Sequence, residues 1–290
     1  MSDFVIMTDS SCDLPASLAN EMELTVLPLY VDVDGQKYTN YLDEREISFS
    51  EIYAKLRTKC PAKTSAVNTN DFMEPMENLL KAGKDVLYIG FSSGLSGTYN
   101  AGAMAARELS EKYPERKIYT CDSLCASLGQ GLLVYHAWQE KKKGRTIEEV
   151  RDFVEDNKLH LCHWFTIDDL MFLKRGGRVS GATAVVGSML SIKPVMHVDN
   201  EGHLIKVDVA RGRKASIKAL ADRAEKLGVD LQNQTIFISH GDCIDDANYL
   251  ADIMRNRFNV RDVLINYVGP VIGAHSGPGT IALFFLGRER

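Results

Sequence analysis

The chain has 290 residues, 45% hydrophobic and 25% charged, a composition expected of a globular protein long enough for two compact units. Its formal net charge of -5, with no basic run longer than Lys141-Lys142-Lys143, argues against a nucleic-acid surface, which needs a basic stripe. No stretch is apolar enough to span a bilayer and "MSDFVIMTDSS" lacks the basic start and apolar core of a signal peptide, so a cytoplasmic protein without membrane insertion is expected.

In chain order, "FVIM" predicts a first strand, "TDSSCDLP" a polar turn, and Leu14 to Glu21 a helix. "LTVLPLYVDVDG" reads as a strand pair ending in a turn. "ISFSEIYAKLRTK" is an amphipathic helix with Ser48 as its cap. Thr64 and Ser65 fall in a loop before a helix that carries Met73, Met76, Leu79 and Leu80 and stops at Gly83. "KDVLYIG" is a strand buried on both faces. "FSSGLSGTYNAG" (91–102) then leads into an Ala-rich helix. "KIYTCDS" precedes a helix from about Ala126 to Lys142, and a further helix has Thr146 and Glu149 in capping-box register.

The 91–102 stretch is a strand-to-helix turn. The first N–H groups of the helix lack intrahelical acceptors and the helix dipole favours negative charge there. Gly94 and Gly97 permit close backbone approach, and Ser92, Ser93, Ser96 and Thr98 add hydroxyl donors, so the turn reads either as an anion receptor or as an ordinary capped helix. It is not a nucleotide-phosphate loop, because no lysine occurs between Lys84 and Lys112. Nor does Gly94-Leu95-Ser96-Gly97 have the spacing of a nucleophile elbow.

Continuous apolar strands alternating with helices predict an α/β protein whose N-terminal unit, residues 1–157, is a Rossmann-like, doubly wound parallel sheet. Its ligands are then expected beyond the carboxyl ends of the strands, where Thr8 to Ser11, Ser92 to Thr98 and Thr120 to Ser123 all fall. From residue 158 to 290 six strand-like pieces ("HWFTID", "PVMHVD", "HLIKVDVA", "TIFISHG", "VLINYVG", "TIALFFLG") and helices at 182–191, 213–227 and 245–257 predict a second, α+β unit with a largely antiparallel sheet.

Arg178, after the turn forced by Gly176-Gly177, is the candidate permanent charge for an anion, and His275 the candidate tunable donor, in a loop with Gly273, Gly277 and Gly279. Asp9 is a candidate to orient either one, and His240 in "SHGD" is a weaker candidate. The apolar face of helix 182–191, with Ala182, Val185, Val186 and Met189, reads as core or, beside a carboxylate receptor, as the lining of a slot for a hydrocarbon tail. Six cysteines without a C-x-x-C pair argue against a zinc ribbon or disulfide framework, and Cys121 and Cys125 read as buried small hydrophobes. His160 and His163 would face opposite ways on a strand, so no metal site is expected.

"MTDSSCDLP", "KTSAVN", "FSSGLSGTYNAG", "LKRGGRVSGATAVVGSMLSIKPV", "GPVIGAHSGPGT" and "FFLG" together resemble the DegV family, bacterial fatty-acid-binding proteins that serve as the lipid-carrying subunit of fatty acid kinase. The resemblance implies one long-chain fatty acid held between the two domains, with Thr64 and Ser96 hydrogen-bonding its carboxylate, Ser93 nearby, and Arg178 and His275 completing the network. It further implies an ATP-dependent partner kinase that converts the carboxylate to an acyl phosphate, while this chain binds no ATP and needs no cofactor. The family commonly reads T-S-Q-P where this chain has Thr64-Ser65-Ala66-Val67, a change that removes a loop-stiffening proline and bears on headgroup geometry. Two other function classes stand beside this one: a hydrolase using Ser96, His275 and Asp9, and a regulator that binds a small anion or nucleotide.

Overall fold

The computed structural model describes residues 3–179 and 192–290. The chain begins with β1 (Phe4–Asp9), a short 3-10 turn at Ser10–Cys12, and α1 (Ala16–Glu21). α1 starts two residues later than the sequence suggests because Pro15 disfavours helical backbone in the residue before it. Next come β2 (Thr25–Leu27), β3 (Leu29–Val33), β4 (Gln36–Asn40), α2 (Phe49–Arg57), β5 (Ala62–Ser65) and α3 (Thr69–Lys81). β6 (Asp85–Gly90), α4 (Thr98–Lys112), β7 (Ile118–Asp122), α5 (Leu128–Lys142) and α6 (Ile147–Asn157) complete the first half.

β2-β1-β6-β7 form a parallel sheet. The chain winds outward from β1 on one side and from β6 on the other, so the topological switch point lies between their carboxyl ends. A feature not expected is a separate three-stranded antiparallel sheet, β4-β3-β5. Pro28 divides the expected strand pair between two sheets, and Thr64 and Ser65 stand on β5 rather than in a loop. Ser48–Glu51, Asn68–Asp71 and Thr146–Glu149 all form reciprocal capping boxes, two of them on helices whose starts the sequence marks with Ser48 and Thr146.

The second half contains β8 (Leu161–Thr166), α7 (Met171–Gly176), β9 (Ile192–Val198), β10 (Leu204–Arg211), α8 (Arg213–Leu227), β11 (Thr235–His240), α9 (Ile244–Phe258), β12 (Asp262–Tyr267), α10 (Pro270–Ser276) and β13 (Ile281–Leu286). All six expected strands form one sheet, ordered β10-β9-β8-β13-β11-β12, antiparallel except at β11–β12. Gly177 ends α7 with φ 68, as the Gly176-Gly177 pair suggests. His275, expected in a loop, lies instead on α10, a helix that Pro270 can open because a first-turn residue has no need of its N–H.

One apolar cluster runs across both halves. Phe4, Ile6, Leu87 and Ile89 of the parallel sheet and Phe165, Met196, Phe237 and Phe284 of the mixed sheet share it with Leu128, Leu132 and Leu133 of α5. α5 is therefore buried on nearly all sides, which explains why its sequence has no clear polar face. Cys121 and Cys125 are fully buried, and burial pushes the Cys125 thiol up to about 11.

Candidate functional site

Between the parallel sheet and the mixed sheet lies a cavity of ≈ 180 Å³, more than ten times the about 10–15 Å³ that a single water needs. Its floor and one wall come from the mixed sheet and can be read from strand register. Leu204, Val198, His163 and Phe284 stand side by side across β10, β9, β8 and β13, and all four line the cavity. Two residues along, Phe165, Ala282 and Ser239 form a second row across β8, β13 and β11 that also faces it. Thr280, just before β13, and Ser276 lie at its other end. From Thr280 to Phe284 is four residues of extended chain, so the trench is about 13 Å deep along the strand.

The shallow end carries the polar groups singled out from sequence. Thr64 Oγ1 and His275 Nε2 are 2.7 Å apart, joining β5 to α10. Burial, reinforced by the charge of Arg178, lowers His275 to about 4, so the imidazole is neutral near pH 7. Its Nδ1 is buried and has no partner among the described residues. A Cβ at Gly176 would come within 2.3 Å of that nitrogen, so only glycine lets α7 pack this closely on α10. Arg178 donates through Nη1 to the Gly176 carbonyl and lines the same cavity.

Ser96, Gly97 and Leu95 bring the β6–α4 turn into the lining. Ser96, just before the Gly97 cap of α4, accepts through Oγ from Thr98 N at 3.2 Å, lies 2.9 Å from Thr98 Oγ1 and lines the cavity. Ser65 and Ala66 complete this rim, while Val67, where a proline would be usual, is buried against the second core cluster. Apolar burial and the Asn68–Asp71 box that follows anchor the segment instead of a rigid ring.

Thr64, Ser96, Arg178 and His275 thus converge on one cavity. Ser93 does not: it is exposed, lies off the lining, and its N–H donates to Asp122 Oδ1. Asp9 also fails to reach either Arg178 or His275. Its Oδ1 accepts from the N–H and hydroxyl of Ser11, and its Oδ2 accepts from Tyr88 OH at 3.2 Å and Phe91 N at 3.0 Å. Asp9 therefore ties β1 to the turn after β6, and the Ser96–His275–Asp9 arrangement is not assembled. His240 is off the lining, accepting from Cys243 N and packing on Tyr267. Ala182, Val185, Val186 and Met189 lie outside the described residues.

The apolar walls, missed as site residues, had a signal in the alternation of "HWFTI" and "IALFF", where His163 and Phe165, or Ala282 and Phe284, must share a face. Ser127 had none. It holds φ 54, ψ -144 at the entry to α5, lines the cavity, and donates to Asp13 Oδ2 at 2.6 Å.

The family model described as "Uncharacterised protein, DegV family" matches residues 3–288. A DegV domain-containing protein of Clostridium perfringens is 47% identical over 290 residues, covering 100% of this chain and 99% of the relative. A DegV family protein from Thermus thermophilus, whose structure is described by its fatty acid binding, is 31% identical with a TM-score of 0.87, over 98% of this chain and 99% of that one. DegV from Bacillus subtilis, described as a fatty acid binding protein, is 25% identical with a TM-score of 0.85, over 99% of this chain and 100% of that one. With near full-length matches in sequence and in fold, the chain belongs to the DegV family.

Proposed function

We propose that this protein binds one long-chain fatty acid between its N-terminal unit, residues 1–157, and its C-terminal unit, residues 158–290, and presents the carboxylate to a separate ATP-dependent kinase that converts it to an acyl phosphate. The observation that carries the reading is the asymmetry of the cavity. Thr64, Arg178 and His275 meet at one end, Ser96 enters the lining from the β6–α4 turn, and Phe165, Ala282, Phe284, Val198 and Leu204 supply apolar walls interrupted by His163, Ser127 and Ser239. A tail of about fifteen methylenes, at about 0.8 kcal/mol each, supplies on the order of 12 kcal/mol before association costs. The tail therefore provides affinity and the head provides register.

A carboxylate taken out of water is costly unless it meets donors. The Thr64 and Ser96 hydroxyls, the N-terminus of α4 and the Arg178 guanidinium can supply them, and neutral His275 can donate without a fixed charge of its own. Phosphorylation adds negative charge at this end, where the same dipole and guanidinium face it. The protein then acts in the cytoplasm, where ATP is available, as carrier of substrate and product rather than as the enzyme. Fatty-acid-binding relatives in the same family support this reading, as does an imidazole paired with Thr64 instead of a carboxylate.

The test is phosphorylation of bound lipid by the partner kinase. Arg178→Ala and His275→Ala should each lower the rate by at least about tenfold while the proteins stay folded, the loss expected from removing one charge-assisted contact of about 1.5–3 kcal/mol. Wild-type rates in both variants would remove these residues from the head site. Hydrolysis of acyl esters by the isolated protein, abolished in Ser96→Ala, would overturn the carrier reading in favour of an enzyme.

A further inference from the structure

Arg290, four residues after β13, is only 7% exposed. Its guanidinium is spent on backbone carbonyls: Nε donates to Leu161 O at 3.2 Å, Nη1 to Leu124 O at 2.6 Å and Asp199 O at 3.1 Å, and Nη2 to Ser123 O at 3.4 Å and to Lys158 O. Nη2 also meets Cys125 Sγ at 3.3 Å. No carboxylate within salt-bridge distance of it is found among the described residues.

These partners are not scattered. Leu124 is two residues before Ala126, Leu161 two before His163, and Asp199 one after Val198; Ala126, His163 and Val198 all line the cavity at its deep end. The links are also direct. The Leu161 carbonyl that accepts from Arg290 lies 3.3 Å from His163 Nδ1, and His163 Nε2 accepts from Ala126 N at 3.2 Å. Arg290, Leu161 O, His163 and Ala126 thus form one chain of hydrogen bonds beneath the trench.

The β7–α5 segment needs such a tie. Leu124 at φ 51 and Ser127 at φ 54 occupy positive-φ backbone that non-glycine residues adopt only where their surroundings hold them. On the N-terminal side the segment is bonded to the turn after β6, through Ser92 N to Cys125 O and Ser123 N to Gly90 O. Arg290 supplies bonds to the other half, at Lys158, Leu161 and Asp199. A planar fork with five donors suits this task, and a lysine's single compact ammonium cannot span the same set of carbonyls.

We propose that Arg290 is a positioning residue that fixes the deep end of the cavity and so sets the length of acyl chain accepted. This rests on the fatty-acid reading above. With Arg290 in place the Ala126–His163 floor is held against both halves. Without it the floor gives way, and each further methylene admitted improves affinity by about fourfold.

The experiment offers delipidated protein an equimolar ladder of saturated fatty acids and measures the bound distribution by mass spectrometry. Arg290→Ala should shift the distribution to longer chains, with at least about a fourfold rise in the ratio of the next longer acid to the one wild type prefers. Arg290→Lys should give an intermediate profile. Ile217→Ala, in the core cluster on the far side of the mixed sheet, controls for lost stability and should leave the profile unchanged. A wild-type profile in Arg290→Ala, or the same shift in Ile217→Ala, overturns the role of Arg290; if Arg290→Ala fails to fold, a wild-type profile in Arg290→Lys does so. Wild-type protein that takes up no fatty acid overturns the underlying reading instead.

Discussion

Replacing Ala282 with tryptophan is expected to abolish fatty-acid binding while leaving the protein folded. Ala282 stands at the centre of the row Phe165–Ala282–Ser239 and presents only a methyl, which leaves space over the middle of the trench. An indole at this position would fill the path below the Thr64–His275 pair. If it excludes about six methylenes, the loss is about 5 kcal/mol, more than about a thousandfold in Kd. Folding should suffer less, because the ring enters existing space, and overpacking costs about 1–3 kcal/mol. Displacement of a fluorescent fatty acid measures the effect. Affinity within a few-fold of wild type would mean that the tail does not pass over Ala282.

The second large effect concerns pH and Asp13. This residue is 2% exposed, and burial raises its carboxyl to about 8 despite the hydroxyl bond from Ser127. The folded state therefore keeps a proton that the unfolded chain releases near pH 4, and stability falls by about 1.4 kcal/mol per pH unit as pH rises through this window. Below about pH 6.5 the histidines oppose it. His136, His197 and His275 are each lowered to about 4 by burial, so there the unfolded chain binds the extra protons and stability rises with pH. Three histidine slopes outweigh those of Asp13 and Asp9, which burial also raises.

Stability should therefore peak near pH 6.5 and decline towards pH 8, with Asp13 alone contributing about 2 kcal/mol of the loss once the histidines no longer oppose it. Asp13→Asn keeps an acceptor for Ser127 but cannot ionise. Urea unfolding of the variant should show the acid-side loss and an alkaline decline smaller by about 2 kcal/mol. The same decline in both proteins would assign it to another group.

Much of this architecture is legible in the residues. "FVIM" and "KDVLYIG" are too uniformly apolar for anything but a strand covered on both faces, and the six strands of the second half each carry β-branched or aromatic runs bounded by turns. The β4–β3–β5 sheet escaped because "QKYTN" and "AKTS" are short and polar, with one face open to water, and only pairing with β3 makes them strands. α10 escaped for a related reason: Gly273 and Gly277 argue for a loop in isolation. Close packing requires them, since a Cβ at Gly273 would lie 2.5 Å from Tyr53 OH and one at Gly277 2.5 Å from Phe172.

The head of the site was visible because hydroxyls and glycines before a helix have a chemical meaning independent of the rest of the fold. Arg178, His275 and Thr64 come from three distant segments; the chemistry an anion needs paired the first two, and Thr64 joined them as an expectation only through resemblance to a family. Asp9 shows the converse. A carboxylate after the first strand looks available for chemistry, but Phe91, Tyr88 and Ser11 already satisfy it. The deep end was the least legible. Its order rests on cross-strand register and on Arg290, whose backbone-carbonyl partners leave no trace in residue identity.

The most direct test of the account is the mass of the protein as it comes from the cell. Native mass spectrometry of freshly purified material, followed by solvent extraction, should show close to one long-chain fatty acid per chain, and the protein stripped of lipid should regain that mass on incubation with fatty acid. A bare polypeptide mass that stays unchanged after incubation, or a retained phosphate or nucleotide in place of a lipid, would contradict it.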